Sequence, residues 1–65
     1  MTNESVRLRL KKYYKCEPVA YSKIGRMIGL NKNQSAYIIR QFVAGKNLYH
    51  ETLLKLSDFL KERGY

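Results

Sequence analysis

Apolar residues recur with a helical period in four stretches of the chain. In residues 3–15, Val6, Leu10, Tyr13 and Tyr14 fall at i, i+4, i+7 and i+8, one face of a helix, and Leu8 lies off that stripe. The run VRLRLK at residues 6–11 also alternates apolar and basic residues, which is the mark of a half-exposed strand. The length of the segment and the tyrosines that continue the 3.6-residue period favour the helix. Cys16, Glu17 and Pro18 then make a break, because Pro disfavours helix at the residue before it.

A second helix is predicted over residues 21–28, with Ile24, Met27 and Ile28 as its apolar stripe. Val19 and Ile24 stand where the two residues of a hydrophobic staple would, although Ala20 is a poor cap. Gly29 can take the left-handed conformation that ends a helix, with Leu30 tucked into the core behind it. Asn31 is a good N-cap, and Gln34 three residues later completes a capping-box pattern, so a third helix is expected over residues 32–44, stopped by Gly45. A fourth, over residues 49–63, has Leu53, Leu56 and Leu60 as its core stripe, flanked by Leu54 and Phe59, and an i,i+4 pair in Glu51 and Lys55.

Two glycines four apart, in IGRMIGL at residues 24–30, need a reason, since Gly costs about 1 kcal/mol against Ala inside a helix. Gly25 lies one turn before Gly29, on the side where the third helix must cross. A bulky side chain there would push the two helices apart. A helix, a short turn centred on Gly29 and a second helix make a helix-turn-helix unit. The fold expected is therefore all-α: one compact four-helix domain with the helix-turn-helix formed by helices 2 and 3.

Size and charge sharpen this picture. With 65 residues there is one domain, and at that size burial on folding is only about 60% of the unfolded surface, so the core must be well packed or the protein oligomeric. One cysteine, Cys16, allows no internal disulfide, and with His50 as the single histidine there are too few ligands for a structural zinc site. No signal peptide and no membrane-spanning run is read, and with a free thiol this points to the cytoplasm. Thirteen Lys and Arg against five Asp and Glu give a net charge of +8 and a pI near 9.9. An excess that large in a small domain implies an anionic partner; nucleic acid fits best, and an anionic membrane surface is its main competitor.

The third helix supplies the chemistry for such a partner. Opposite Ile38, Ile39 and Phe42 lie Asn33, Tyr37, Arg40 and Ala44, flanked by Ala36 and Gln41, with no acid among them. Asn and Gln can pair with adenine and Arg with guanine, while a tyrosine can pack on sugar or a thymine methyl. Lys32 sits beside the free N–H groups at the helix start, an arrangement that suits anions. Lys46 and Asn47 after this helix, and Tyr21, Ser22 and Lys23 at the start of the second, are expected to touch phosphate, which positions a domain without specifying sequence.

The segments SKIGRMIGLN and FVAGKNLYHETLLKLSDFL resemble the XRE-type, lambda-repressor-like helix-turn-helix family over residues 19–60. Its hydrophobic residue, small residue and later Gly-Leu are met by Ile24, Gly25 and Gly29-Leu30, and the polar cap of its recognition helix by Asn31. The resemblance implies a sequence-specific transcriptional regulator of bacterial or phage repressor type, bound to double-stranded DNA and associated with the nucleoid. It places base contacts at Lys32, Asn33, Tyr37 and Arg40 and phosphate contacts at Tyr21, Ser22, Lys46 and Asn47. Because one small monomer reads only a few base pairs, a homodimer on a two-fold site is the default expectation, and no cofactor, metal, small-molecule ligand or membrane partner is expected. Two departures stand out. Between Gly29 and Gly45 there are about four residues, roughly one helical turn, more than the family pattern, which lengthen either the turn or the helix. The fifth helix of many relatives is also missing.

Two rivals remain. A ribbon-helix-helix DNA binder would use VRLRLK as its paired strand, and a small interaction module of antitoxin or antirepressor type would use the six tyrosines as a contact surface. An enzyme is not expected, because the five acids are scattered and no nucleophile has a base at a useful spacing.

Overall fold

The computed structural model describes residues 2–65. Four helices follow one another, α1 (Asn3–Cys16), α2 (Tyr21–Met27), α3 (Ser35–Ala44) and α4 (His50–Glu62), and there is no strand among the described residues. α1 starts at a reciprocal cap: Thr2 Oγ1 accepts from the Ser5 amide and Ser5 Oγ from the Thr2 amide, both at 3.1 Å. VRLRLK lies inside this helix. Val6, Leu10 and Tyr13 are buried in line, whereas Leu8, which a strand would put on the same side as Val6 and Leu10, is 60% exposed.

α2 is only seven residues long and begins, as its weak cap foretells, with no side-chain bond from Ala20. Ile24 and Ile28 enter the core, but Met27 does not. The short helix meets α3 along its Ile24–Gly25–Ile28 edge, which leaves Met27 on the outward side, 49% exposed, with its sulfur 3.9 Å from the Arg63 guanidinium. Gly29, at φ +89°, ends the helix in a left-handed turn. The Leu30 amide then reaches back to the Gly25 carbonyl at 2.8 Å and the Gly29 amide to that of Arg26 at 3.1 Å, the two bonds of a Schellman closure. Leu30 packs against the core, as expected.

α3 does not begin where the cap pattern predicts. Asn31 Oδ1 accepts from the Asn33 amide at 2.9 Å, and the Asn31 carbonyl accepts from the Gln34 amide at 3.0 Å and from Ser35 Oγ at 2.7 Å. Asn31 thus closes a turn of its own instead of capping the helix, a local competition that Asn side chains often win. The N-cap is Gln34, which makes no side-chain cap bond, and the connection from α2 runs over residues 28–34. Lys32 and Asn33 therefore precede α3 instead of opening it.

What fixes the start of α3 is Ser35 against Gly25. Both are buried, and a Cβ built on Gly25 would lie 2.6 Å from Ser35 Cβ and 2.9 Å from Ser35 Cα. This is the close crossing that the glycine pair predicts. Around it the core collects Val6, Leu10 and Tyr13 of α1, Ile24 and Ile28, Ile39 and Phe42 of α3, and Leu53, Leu56, Phe59 and Leu60 of α4. Each such apolar side chain contributes about 1.5–3 kcal/mol by leaving water. α4 starts one residue later and ends one residue earlier than its periodicity suggests, with Tyr49 as N-cap.

α1 and α4 run side by side in the same direction. Asn3 meets Leu48 just ahead of α4, and Tyr13 stacks edge-on against Phe59 near its end, with ring centroids 5.7 Å apart. Between these points the Arg9 guanidinium donates to Ser57 Oγ at 2.8 Å and to the Tyr65 main-chain oxygen at 2.7 Å. No helix is long and apolar enough to cross a membrane among the described residues.

Candidate nucleic-acid interface

α3 is held down by Ser35, Ile39 and Phe42 and turns its other side to solvent. Tyr37, 62% exposed, Arg40 and Ala44 follow at i, i+3 and i+7, one outward line, with Ala36 and Gln41 half-buried at its edges. Asn33 and Lys32 are exposed in the connection just before the helix. Asn33 therefore joins this surface from the turn, with its amide engaged by Asn31. Ile38, predicted among the apolar positions, is half-buried and floors a groove beside the helix.

That groove gathers part of the predicted set. Tyr37 and Gln41 line it from α3, and Lys46, Leu48 and Tyr49 line it from the α3–α4 connection. Asn47 lines it too, but its Oδ1 accepts from the Arg7 guanidinium at 3.3 Å, so the oxygen is engaged inward and the amide nitrogen is the group free to donate outward. Ser22 and Lys23 are exposed in a separate shallow depression on α2, which Arg26 and Met27 share. Tyr21 stands apart from them: it is half-buried, its ring against that of Tyr14 with centroids 4.9 Å apart, so it packs as much as it presents.

Charge is unevenly shared along the chain. The five acids are Glu4, Glu17, Glu51, Asp58 and Glu62, so residues 18–50 contain none. The same stretch holds Lys23, Arg26, Lys32, Arg40 and Lys46, all exposed. Asp58 and Glu62 of α4 stand beside residues 27–29 at the end of α2, but along the stretch itself the cations are uninterrupted by acids. Such an excess raises the local concentration of a polyanion and speeds its approach. α2, α3 and their connections can therefore hold phosphate through these cations while Arg40 and Tyr37 offer directional hydrogen bonds.

Comparison with protein-family models, with curated proteins and with solved structures gave no match.

Three residues of this region escape a reading by pattern alone. Arg26 follows Ser22 and Lys23 by one turn and could have been placed with them. Tyr49 is 89% exposed, an aromatic side chain standing almost free at the mouth of the groove, and its place at a helix boundary conceals this. Arg7 is the third. In a chain so basic it reads as a solvated charge, yet it is 6% exposed, with Nε donating to the Phe42 carbonyl at 2.6 Å and Nη2 to that of Lys46 at 2.8 Å. Its guanidinium lies 4.7 Å from the Phe42 ring centre and pairs with Glu4 at 3.0 Å. A cation at the C-terminal end of α3 is also where the helix dipole favours one.

Among the described residues no group of three or more His, Cys, Asp or Glu side chains could hold a metal ion. Cys16 is exposed and unpaired with another cysteine.

Proposed function

We propose that this chain is a sequence-specific binder of double-stranded DNA, a regulator of the lambda-repressor-like helix-turn-helix type, with α2 and α3 as its two helices. One observation carries the reading. The exposed line Tyr37–Arg40–Ala44 has no acid on it and is not covered by any other of the described residues, while Ile39 and Phe42 anchor the same helix beneath. An α-helix presented in this way fits the major groove. Arg40 reads a guanine edge and Tyr37 a thymine methyl or sugar, with Lys32 and Asn33 reaching bases from the turn ahead of the helix.

Lys46 and the Asn47 amide on one side, and Ser22, Lys23 and Tyr21 on the other, hold backbone phosphates. One small domain covers few base pairs, so a homodimer on a two-fold site is the working arrangement. Regulation then follows from occupying or marking a promoter on the nucleoid. The ribbon-helix-helix alternative needs a strand at residues 6–11, which are helical. The interaction-module alternative draws on the groove between Tyr37 and Tyr49.

Selection of bound duplexes from a random pool, repeated at several salt concentrations, tests the proposal. An enriched palindrome, with affinity falling steeply as salt rises, is the expected result. No enrichment together with salt-insensitive binding would leave the interaction module as the better description.

A further inference from the structure

The α3–α4 connection carries Lys46, Asn47 and Tyr49 without regular structure of its own, and three of its main-chain and side-chain atoms are fastened by a single neighbour, α1. The Lys46 carbonyl and Asn47 Oδ1 both accept from Arg7 Nη2, at 2.8 and 3.3 Å. The Leu48 amide donates to Asn3 Oδ1 at 2.8 Å. The Lys46 and Tyr49 side chains meanwhile point away, into solvent.

We propose that Asn3 and Arg7 are positioning residues of the DNA interface, which hold the α3–α4 connection in register with the face of α3 so that Lys46 meets a phosphate. This rests on the DNA-binding reading above. The reason lies in what a buried guanidinium does well and badly. As a stabiliser it competes poorly with a packed apolar residue, because its desolvation offsets most of its attraction. As a fork it sets several acceptors at once, which no apolar residue can do. Arg7 uses one edge for Phe42, the last buried residue of α3, and another for Lys46 and Asn47. It therefore ties the end of the reading helix to the segment that follows it. Gly45, with φ at +124°, makes the bend between the two, closed by its own amide on the Phe42 carbonyl at 3.1 Å and by the Lys46 amide on the Gln41 carbonyl at 2.9 Å. Beyond these two bonds the Lys46 carbonyl, Asn47 Oδ1 and the Leu48 amide are held by Arg7 and Asn3. Without them this stretch, with the Lys46 side chain, would have to be ordered at the moment of binding, at an entropic cost.

The test uses the variants Asn3→Ala, Arg7→Lys and Lys46→Ala, kept below their thermal midpoints. In the free protein, Asn3→Ala is expected to speed amide hydrogen exchange at Leu48 several-fold. On a duplex, Lys46→Ala should make the slope of log affinity against log salt shallower by about 0.9, the loss of one phosphate contact. Asn3→Ala and Arg7→Lys should do the same, and Asn3→Ala combined with Lys46→Ala should lower the slope no further. Arg7→Lys keeps the charge, so a shallower slope there reports the lost fork. If Lys46→Ala flattens the slope while Asn3→Ala and Arg7→Lys keep that of the wild type, the positioning role is overturned and the DNA reading stands. Unchanged exchange at Leu48 in Asn3→Ala also overturns it. If the wild-type protein itself binds duplex without salt dependence, the DNA reading falls, and this inference with it.

Discussion

Replacing Gly25 by Ala sets two effects of opposite sign against each other. Ala is the better helix former by about 1 kcal/mol, so on an open helix face the change would stabilise. Here the new methyl would lie 2.6 Å from Ser35 Cβ and 2.9 Å from Ser35 Cα, with the Ser35 carbonyl oxygen at 3.1 Å. Comfortable carbon–carbon contact is about 3.5–4.0 Å, so α2 and α3 must part by about 1 Å. Main-chain atoms cannot rotate aside as a flexible side chain would. Overpacking of this kind costs about 1–3 kcal/mol, and with main chain in the way the upper part of that range, about 2–3 kcal/mol, applies, which leaves a net loss of about 1–2 kcal/mol after the propensity gain. In a domain of this size that lowers the thermal midpoint by about 5–15 °C.

Urea denaturation followed by far-ultraviolet circular dichroism reads the change as a lower midpoint with the same slope. A midpoint unchanged or raised would mean that the methyl finds room and that the crossing is not set by the glycine. Adding Ser35→Gly removes the 2.6 Å contact but leaves Cα in place and gives up the hydroxyl bond to the Asn31 carbonyl. The double variant should therefore be less destabilised than the sum of the two single ones, a coupling that only touching residues show.

Two further outcomes follow from the same geometry. Arg40→Ala should weaken binding to a selected site by about 1–3 kcal/mol and relax the preference at one base pair, as measured by titration against a panel of single-base variants; an equal loss on every sequence would mean that Arg40 touches only phosphate. Phe42→Ala removes a fully buried ring that also carries the Arg7 guanidinium on its face, and should cost about 3–5 kcal/mol, enough to unfold much of the population at 25 °C by circular dichroism; a folded protein with a near wild-type midpoint would refute the placement of the core.

Where periodicity alone decides burial, the sequence was a good guide. The spacing of Val6, Leu10 and Tyr13 against Leu8 separates helix from strand, and the leucines of α4 fall inward as their register requires. The outward position of Tyr37 and Arg40 is legible for the same reason: it follows from Ile39 and Phe42 facing in. The beginning of α3 was not legible, because Asn31 followed by Gln34 fits a helix cap and a free-standing turn equally well. Only the seating of Ser35 on Gly25 decides between them. Met27 was misplaced because a two-turn helix offers too few positions to define a stripe. The contact of Arg7 with Asn47 is beyond reach of any local pattern, since the two meet across about forty residues of chain.

On α3 the side chains that fasten the helix and those that face outward are separate sets. Ser35, Ile39 and Phe42 are sealed inside, whereas Tyr37 and Arg40 are exposed. Exchanges at such exposed positions usually shift stability by no more than about 0.5 kcal/mol. The outer line is thus nearly free to be rewritten, and on the DNA-binding proposal a lineage of this fold could change its target through a few codons while the scaffold beneath stays as it was.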